Sequence, residues 1–107
     1  MLRHIVLLQF AESTTRETIN EIFAGFGALV AKLPGAIRVT SGPNVSPEPL
    51  DKGFRHGFVM DFESAAARDA YLAHHEHVSF AEGTVIPALT AGRESIVVFD
   101  YEVAENV

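Results

Sequence analysis

The chain has 107 residues, of which 48% are apolar and 21% charged, and its formal net charge is −6. With 8 basic against 14 acidic residues and no cluster of lysine or arginine, neither nucleic acid nor an anionic membrane surface is expected as a partner. The absence of cysteine excludes disulfides, thiolate catalysis and cysteine-based zinc sites. We expect one domain over residues 1–107, with its core at about residues 2–102.

The first predicted element is a strand over residues 2–10, and both of its sides are largely apolar. This pattern is typical of a strand that is covered on both faces. In so small a domain, the second apolar side predicts burial against another copy of the chain. The apolar run is too short to span a membrane and lacks the cleavage region of a signal peptide, so we expect a cytoplasmic protein.

The second predicted element is a helix. Thr14 and Glu17 have the spacing of a capping box, which predicts that the helix begins there, and Pro34 ends it. Gly25 and Gly27 lie inside this helix, where each costs about 1 kcal/mol of helix propensity relative to alanine. Either they allow another group to approach closely, or they are simply tolerated.

Turn residues and periodicity predict the remaining elements. A strand over residues 36–42 is followed by a proline-rich loop over residues 42–53 and a strand over residues 54–63. A second helix is capped by Ser64 and runs to about Ala73. A short helical or irregular stretch over residues 78–89 then leads to the last strand, over residues 95–101. The resulting order, β-α-β-β-α-β, is that of an α+β fold of the ferredoxin-like type.

The residues with the clearest chemistry form one short cluster. Tyr71 is followed within six positions by His74, His75 and His77, which are three of the five histidines. Imidazole and phenol groups transfer protons near neutral pH, so one interpretation is acid–base catalysis on a carbonyl substrate. The alternative for Tyr71 is a core aromatic residue. Three ligands so close on one segment do not readily surround an ion, so we predict no metal site.

Two further histidines lie on otherwise apolar rows of the predicted sheet. His4 shares its side of the first strand with Val6 and Leu8, and His56 shares its side of the third strand with Phe58. A buried histidine needs a hydrogen-bond partner. The alternative is that each histidine is half-exposed at a strand end or bonded to a backbone carbonyl.

Several short segments together resemble the stress-responsive dimeric α/β-barrel (Dabb) family. They are Arg3–Phe10, Gly42–Ser46, Gly53–Gly57, Phe62–Glu63, Tyr71–Phe80 and Val98–Tyr101. The resemblance implies a ferredoxin-like protomer whose sheet pairs with that of a second copy to form a dimeric barrel. It places one apolar row in the dimer interface, namely Ile5, Leu7, Val59 and Val97.

The resemblance also implies a chemistry, since a plant member of the family closes a linear polyketide by aldol condensation without a cofactor. Its catalytic tyrosine corresponds to Tyr71 and its catalytic histidine to His77, which become the acid or oxyanion donor and the base. His75 stands where the family usually has proline, which alters how the preceding helix ends. Further ligand-binding residues implied in this way are His4, Val6, Leu8, His56, Phe58, His74, Phe80, Ile96 and Val98.

We therefore predict a homodimer that binds a small carbonyl-bearing or aromatic ligand between sheet and helices, with cyclase-like His/Tyr chemistry and no cofactor. One alternative is a non-catalytic stress-response dimer whose histidines stabilise the fold through a polar network. Another, by analogy with other dimeric barrels, is a cofactor-free monooxygenase or isomerase.

Overall fold

A computed structural model describes residues 1–104. These residues form four strands and three α-helices, namely β1 (Leu2–Leu8), α1 (Arg16–Lys32), β2 (Ala36–Pro43), β3 (His56–Phe62), α2 (Ala65–Ala73), α3 (His75–Phe80) and β4 (Ile96–Glu102). A π-helical turn over Ala81–Val85 and 3-10 turns over Ile86–Ala88 and Gly92–Ser95 connect α3 to β4. None of the helices in the described part of the chain is long and apolar enough to cross a bilayer.

The four strands form one antiparallel sheet in the order β2-β3-β1-β4. Strand β1 therefore has a neighbour on both sides, and its residues are paired in register with β3 and β4. Arg3 lies opposite Asp61 and Tyr101, whereas the next residue, His4, lies opposite Met60 and Asp100. This topology confirms the ferredoxin-like prediction.

The core lies between the helices and one face of the sheet. Side chains of successive strand residues point to opposite faces, and on β1 every second residue is buried. The helix-facing core residues of the sheet are Leu2, Val6, Leu8, Phe58, Met60 and Phe62. Helix α1 covers them with Ile19, Ile22, Phe26 and Leu29. Each such side chain stabilises the fold by about 1.5–3 kcal/mol relative to exposure.

The opposite side of the sheet, which we call the outer face, carries a buried carboxylate. Asp61 on β3 accepts hydrogen bonds from Arg3 Nε at 2.8 Å and Arg3 Nη2 at 3.3 Å. Arg38 on β2 donates a third, from Nε at 2.8 Å. These three residues are the outer cluster, and around them the outer face exposes Leu7, Val97, Phe99 and Tyr101.

The predicted start of α1 is wrong by one residue. Thr15 is the cap, and its hydroxyl accepts a hydrogen bond from the Thr18 amide at 3.1 Å. The hydroxyl of Thr14 instead donates to the carbonyl of Ala88, 74 positions away, at 2.8 Å. A long-range bond thus removes the first threonine from the capping role. The predicted cap of α2 is confirmed, because the Ser64 hydroxyl accepts from the Ala67 amide at 3.2 Å.

The sequence predicts a short helical or irregular stretch from residue 78, whereas helix α3 begins at His75, because the side chain of His74 caps it. The Glu76 amide donates to Nδ1 of His74 at 3.1 Å, a role more usually filled by serine, threonine, aspartate or asparagine. The helix packs on α1 through Phe80, whose ring lies against Gly25 so closely that a Cβ there would overlap it. A Cβ at Gly27 would meet nothing within 4 Å. Gly25 therefore permits a close approach, whereas Gly27 is tolerated.

Candidate functional site

A cavity of about 560 Å³ lies between the sheet and the segment that runs from α2 to the 3-10 turns. Six of the predicted ligand-binding residues form its floor: His4, Val6, Leu8, Phe58, Ile96 and Val98. Tyr71 and His77 line the same cavity from the helical side. The structure thus brings eight of the eleven predicted site residues together, the six of the floor and these two.

The other three predicted residues lie outside the cavity. The ring of His56 packs against the ring of Phe10, with their centroids 5.3 Å apart. His74 caps α3 with its Nδ1. Phe80 packs against Phe26 at a centroid distance of 5.0 Å. The alternating pattern gave the correct strand face for His56, but the position along the strand places it beyond the cavity wall.

Tyr71 is 3% exposed and carries the most unusual polar group of the site. Its hydroxyl is buried and has no hydrogen-bond partner within residues 1–104. Burial raises the pKa of the Tyr71 phenol well above its ordinary range, so the group keeps its proton at neutral pH. Because a buried hydroxyl without a partner is costly, this group is available to donate to a ligand.

His77 lies beside Tyr71, with ring centroids 4.4 Å apart. Its Nδ1 is 3.1 Å from the carbonyl oxygen of Leu72. A carbonyl only accepts, so Nδ1 carries the hydrogen and Nε2 keeps its lone pair. Burial lowers the pKa of His77, the hydrogen bond to Leu72 acts in the opposite direction, and the electrostatic effect of the nearby His4 lowers it further. The result is a neutral imidazole with one free basic nitrogen.

His4 belongs to a second polar group of the cavity. Its side chain is 5% exposed, and its Nδ1 lies 2.7 Å from Oδ1 of Asp100. The other oxygen of Asp100 accepts from Arg68 Nη1 at 2.9 Å. These three residues are the inner cluster. His4 thus satisfies the predicted requirement for a partner, and that partner is a carboxylate rather than a backbone group.

Sequence reasoning missed Asp100 and Arg68. The sequence did contain a signal for Asp100. Ile96, Val98 and Asp100 occupy every second position of the last strand and so share one face, and an acid on an otherwise apolar face is unusual. Arg68 had no such signal, since it lies 32 residues before Asp100 on a helix. Within the described residues, no group of three or more histidine, aspartate or glutamate side chains is placed to hold a metal ion.

The arrangement combines a protonated phenol, a neutral imidazole and a carboxylate-bound imidazole in a cavity with a largely apolar floor, and Glu82 and Arg93 also line it. Such groups can remove a proton from carbon and hold the negative charge that develops on oxygen. An apolar cavity with a few convergent polar groups is also the usual form of a small-molecule site.

Two relatives of known name match almost the full length of the chain. The stress-response A/B barrel domain-containing protein HS1 of Arabidopsis thaliana is 31% identical over 101 residues, covering 94% of this chain and 88% of the relative. Olivetolic acid cyclase of Cannabis sativa is 26% identical over 100 residues, covering 94% of each.

Solved structures of related proteins also resemble this chain over nearly its full length. A dimeric ferredoxin-like protein of unknown function from Jannaschia sp. superposes with a TM-score of 0.85 at 31% identity, covering 95% of this chain and 98% of the other. The hydroxynitrile lyase of Passiflora edulis gives a TM-score of 0.82 at 27% identity, covering 99% and 95%. The family described as the stress responsive A/B barrel domain, Dabb, matches residues 2–103. The chain therefore belongs to the Dabb family.

Proposed function

We propose that the cavity binds a small carbonyl-bearing or aromatic ligand, and that His77 removes a proton from it while Tyr71 stabilises the resulting oxyanion, without a cofactor. The observation that carries this proposal is the buried Tyr71 hydroxyl, which has no partner in residues 1–104 and lies beside an imidazole with a free nitrogen. A ligand oxygen in the cavity supplies the missing acceptor.

In this mechanism, Nε2 of His77 removes a proton from a carbon next to a carbonyl group. Burial lowers the pKa of His77, so the base is neutral and ready at neutral pH. The phenol of Tyr71 donates a hydrogen bond to the oxyanion that forms. The enolate then attacks a second carbonyl, whose oxygen takes the proton back from His77, or it takes that proton back at another carbon. The first course gives cyclisation and the second gives isomerisation.

The names of two relatives support an enzymatic role. One is a cyclase and the other a hydroxynitrile lyase, and both resemble this chain over nearly its whole length. The apolar floor formed by Val6, Phe58 and Val98 suits a ligand with an aliphatic or aromatic body. We therefore favour β-polyketones and aromatic acids as first ligands to test.

The test is a thermal-shift screen against β-polyketone mimics, alkylresorcylic acids and other aromatic acids. A ligand at about 100 times its dissociation constant adds about 2.7 kcal/mol to the stability of the folded state. We expect hits whose shift falls in Tyr71→Phe, because that variant loses only the hydroxyl. For each hit, exchange of its α-hydrogen with solvent, followed by NMR, then measures proton transfer.

His75→Ala is the matched control for His77→Ala, because His75 is an exposed neighbour that does not line the cavity. We expect exchange to fall by about a hundredfold or more in His77→Ala and to persist in His75→Ala. If no ligand shifts the wild type and the variants only melt earlier, the histidines are structural. That result would favour the non-catalytic dimer, for which the His74 cap of α3 is the supporting observation.

We also propose that the chain forms a homodimer through its outer face, as the dimeric relative suggests. The predicted interface residues Ile5, Leu7, Val59 and Val97 all lie on this face, and Phe99 beside them is 61% exposed. So large an exposed aromatic residue among apolar neighbours is typical of an association surface.

Introducing a charged residue on the outer face tests whether that face forms the dimer interface. Val97→Asp should convert the dimer to monomer in sedimentation experiments, because burial of an unpaired carboxylate is costly. Ala31→Asp, on the exposed side of α1, introduces the same charge away from the outer face and should leave the sedimentation coefficient unchanged. A monomeric wild type would contradict the proposal.

A further inference from the structure

We propose that Arg93 selects ligands that carry a carboxylate, so that the cavity takes an elongated keto acid with its reacting carbonyl group beside Tyr71 and His77. This inference rests on the proposed function and adds the substrate class. It begins from the charged side chains that line the cavity, which are Arg68, Asp69, Glu82, Arg93 and Asp100.

Three of these charged side chains are bonded to one another. Arg68 donates from Nη1 to Asp100 at 2.9 Å and from Nε to Asp69 at 3.0 Å. Within residues 1–104, neither Arg93 nor Glu82 forms an ion pair. These two are therefore the charges of the cavity that a ligand can meet without breaking an ion pair of the protein.

The register of the sheet gives the cavity a polar end and an apolar end. Three pairs of facing residues from β1 and β4 follow one another along the floor: His4 with Asp100, Val6 with Val98, and Leu8 with Ile96. The ring of Tyr71 lies 6.4 Å from that of His4 and 4.4 Å from that of His77, measured between centroids. The phenol and both imidazoles therefore share the end that is marked by Asp100, and the floor is apolar beyond it.

The backbone of Arg93 lies at the apolar end. Arg93 belongs to the 3-10 turn Gly92–Ser95, which leads directly into Ile96 at the start of β4. The rise along the strand from Ile96 to Asp100 is about 13 Å. A ligand whose carbonyl group meets Tyr71 and whose carboxylate meets Arg93 is therefore elongated, with an apolar body over the middle of the floor.

The turn that carries Arg93 is anchored to the rest of the fold. The Ala91 amide donates to Oγ of Ser95 at 2.8 Å, and the carbonyl of Ser95 accepts from the Gln9 amide at 2.9 Å. Ser95 is fully buried, whereas Arg93 is exposed. A guanidinium stays charged at any ordinary pH and matches a carboxylate with two parallel hydrogen bonds. Arg93 thus presents a cation from a fixed backbone.

Glu82 acts on an anionic ligand in the opposite sense. It lies on the π-helical turn Ala81–Val85, on the helical side of the cavity, where its carboxylate repels a second carboxylate. Removal of the Arg93 charge and removal of the Glu82 charge should therefore change the affinity for a keto acid in opposite directions. A neutral ligand of the same shape should respond to neither substitution.

The first test compares linear keto acids with their methyl esters by isothermal titration calorimetry on the full chain. We expect long keto acids to bind about fivefold more tightly than their esters, the upper range for an ion pair at an exposed site. Arg93→Gln should abolish this preference, and Glu82→Gln should raise it about twofold. Arg16→Gln should leave it unchanged and is the matched control, because Arg16 is an exposed arginine that does not line the cavity.

The two proposals fail in different ways. Equal affinity for acid and ester in the wild type, or a preference that survives Arg93→Gln, would overturn the role of Arg93. The proposed function would stand in either case, because the ester still binds. If neither acid nor ester binds the wild type, both fail. The melting temperature of ligand-free Arg93→Gln should equal that of the wild type, since the side chain has no ion-pair partner to lose within residues 1–104.

The second test varies the number of methylene groups between the ketone and the carboxylate. Tyr71→Phe and Arg93→Gln remove contacts at opposite ends of the cavity, so we expect a long keto acid to lose affinity in both variants. A member too short to span the floor reaches one end only and should lose affinity in one variant at most. A short keto acid that both substitutions weaken would overturn the elongated geometry.

Discussion

Two aspartates on the two faces of one sheet show how the same polar chemistry serves different ends. Asp61 in the outer cluster and Asp100 in the inner cluster lie on strands that flank β1, opposite the successive residues Arg3 and His4. Each carboxylate is bonded on both oxygens by side chains from two different elements.

The difference lies in the partners. Asp61 is bonded by two guanidinium groups, which stay charged at any ordinary pH and therefore have no proton to give to a ligand. Asp100 is bonded by one guanidinium and one imidazole, and the imidazole has a second nitrogen on the cavity side. A closed ion-pair cluster stabilises the sheet, whereas a cluster that ends in a histidine at a cavity is able to act on a ligand.

The largest expected effect on stability comes from breaking the outer cluster. Asp61→Asn replaces a carboxylate whose side chain is 3% exposed with a neutral amide, so that two arginines lose their charged partner. We expect the free energy of unfolding to fall by about 2–3 kcal/mol, in line with hydrogen bonds to charged groups. Urea denaturation monitored by circular dichroism measures the loss. Asp100→Asn should cost less, about 1 kcal/mol, and an equal cost would erase the distinction between the clusters.

The second prediction separates the clusters by pH. The hydrogen bond from Arg3 is the first reason why the pKa of Asp61 is lowered, so its stabilising contribution is complete above the unfolded value of about 3.9. As pH falls from there through the lower folded pKa, the unfolded chain binds more protons and that contribution is lost. The denaturation midpoints of wild type and Asp61→Asn should therefore approach each other as pH falls below about 3.9. Persistence of the gap at low pH would contradict this.

The third prediction concerns the cavity side in milder acid. Burial lowers the pKa of both His77 and His56, so below about pH 6.5 the unfolded chain takes up protons that the folded chain resists. Stability should therefore fall as pH decreases from about 6.5, well before Asp61 titrates. His77→Gln in a His56→Gln background should flatten this part of the curve. If stability still falls with decreasing pH in this range after both substitutions, these histidines are not its cause.

The smallest effect is expected within the outer cluster. The Arg38 side chain is 62% exposed and makes one bond to Asp61, whereas Arg3 is 27% exposed and makes two. Arg38→Ala should cost about 0.5 kcal/mol, as exposed ion pairs do, and Arg3→Ala should cost more because it removes two hydrogen bonds. Thermal denaturation of the two variants ranks them, and the reverse order would show that exposure does not govern the contribution.

The sequence predicted the fold well because strand alternation and helix caps are local signals. Both outer and inner faces of β1 follow from alternation, and the Ser64 cap follows from its position before α2. The errors occur where a distant contact decides. Thr14 loses its capping role to Ala88, and His74 gains one that histidine seldom has.

The candidate site was predictable in part, for the same reason. The cavity residues His4, Tyr71 and His77 were identified, but their hydrogen-bond partners were not. Asp100 is 96 positions from His4 in the sequence, and no local sequence pattern predicts a hydrogen bond over that separation. The resemblance to the Dabb family indicated which residue types stand at which positions, whereas the three-dimensional structure shows that the imidazole of His4 faces a carboxylate and that of His77 faces a carbonyl.

Arg3 and His4 are neighbours in the chain, yet each is the β1 member of a different cluster. Because side chains alternate across a strand, a shift of one residue in the pairing of β1 would place the arginine in the cavity and the histidine among the exposed apolar residues. Both carboxylates would then face the wrong partner at once. The two clusters are therefore both satisfied in only one register of β1. Any sequence change that keeps this register for the stability of the sheet also keeps the orientation of His4 in the cavity.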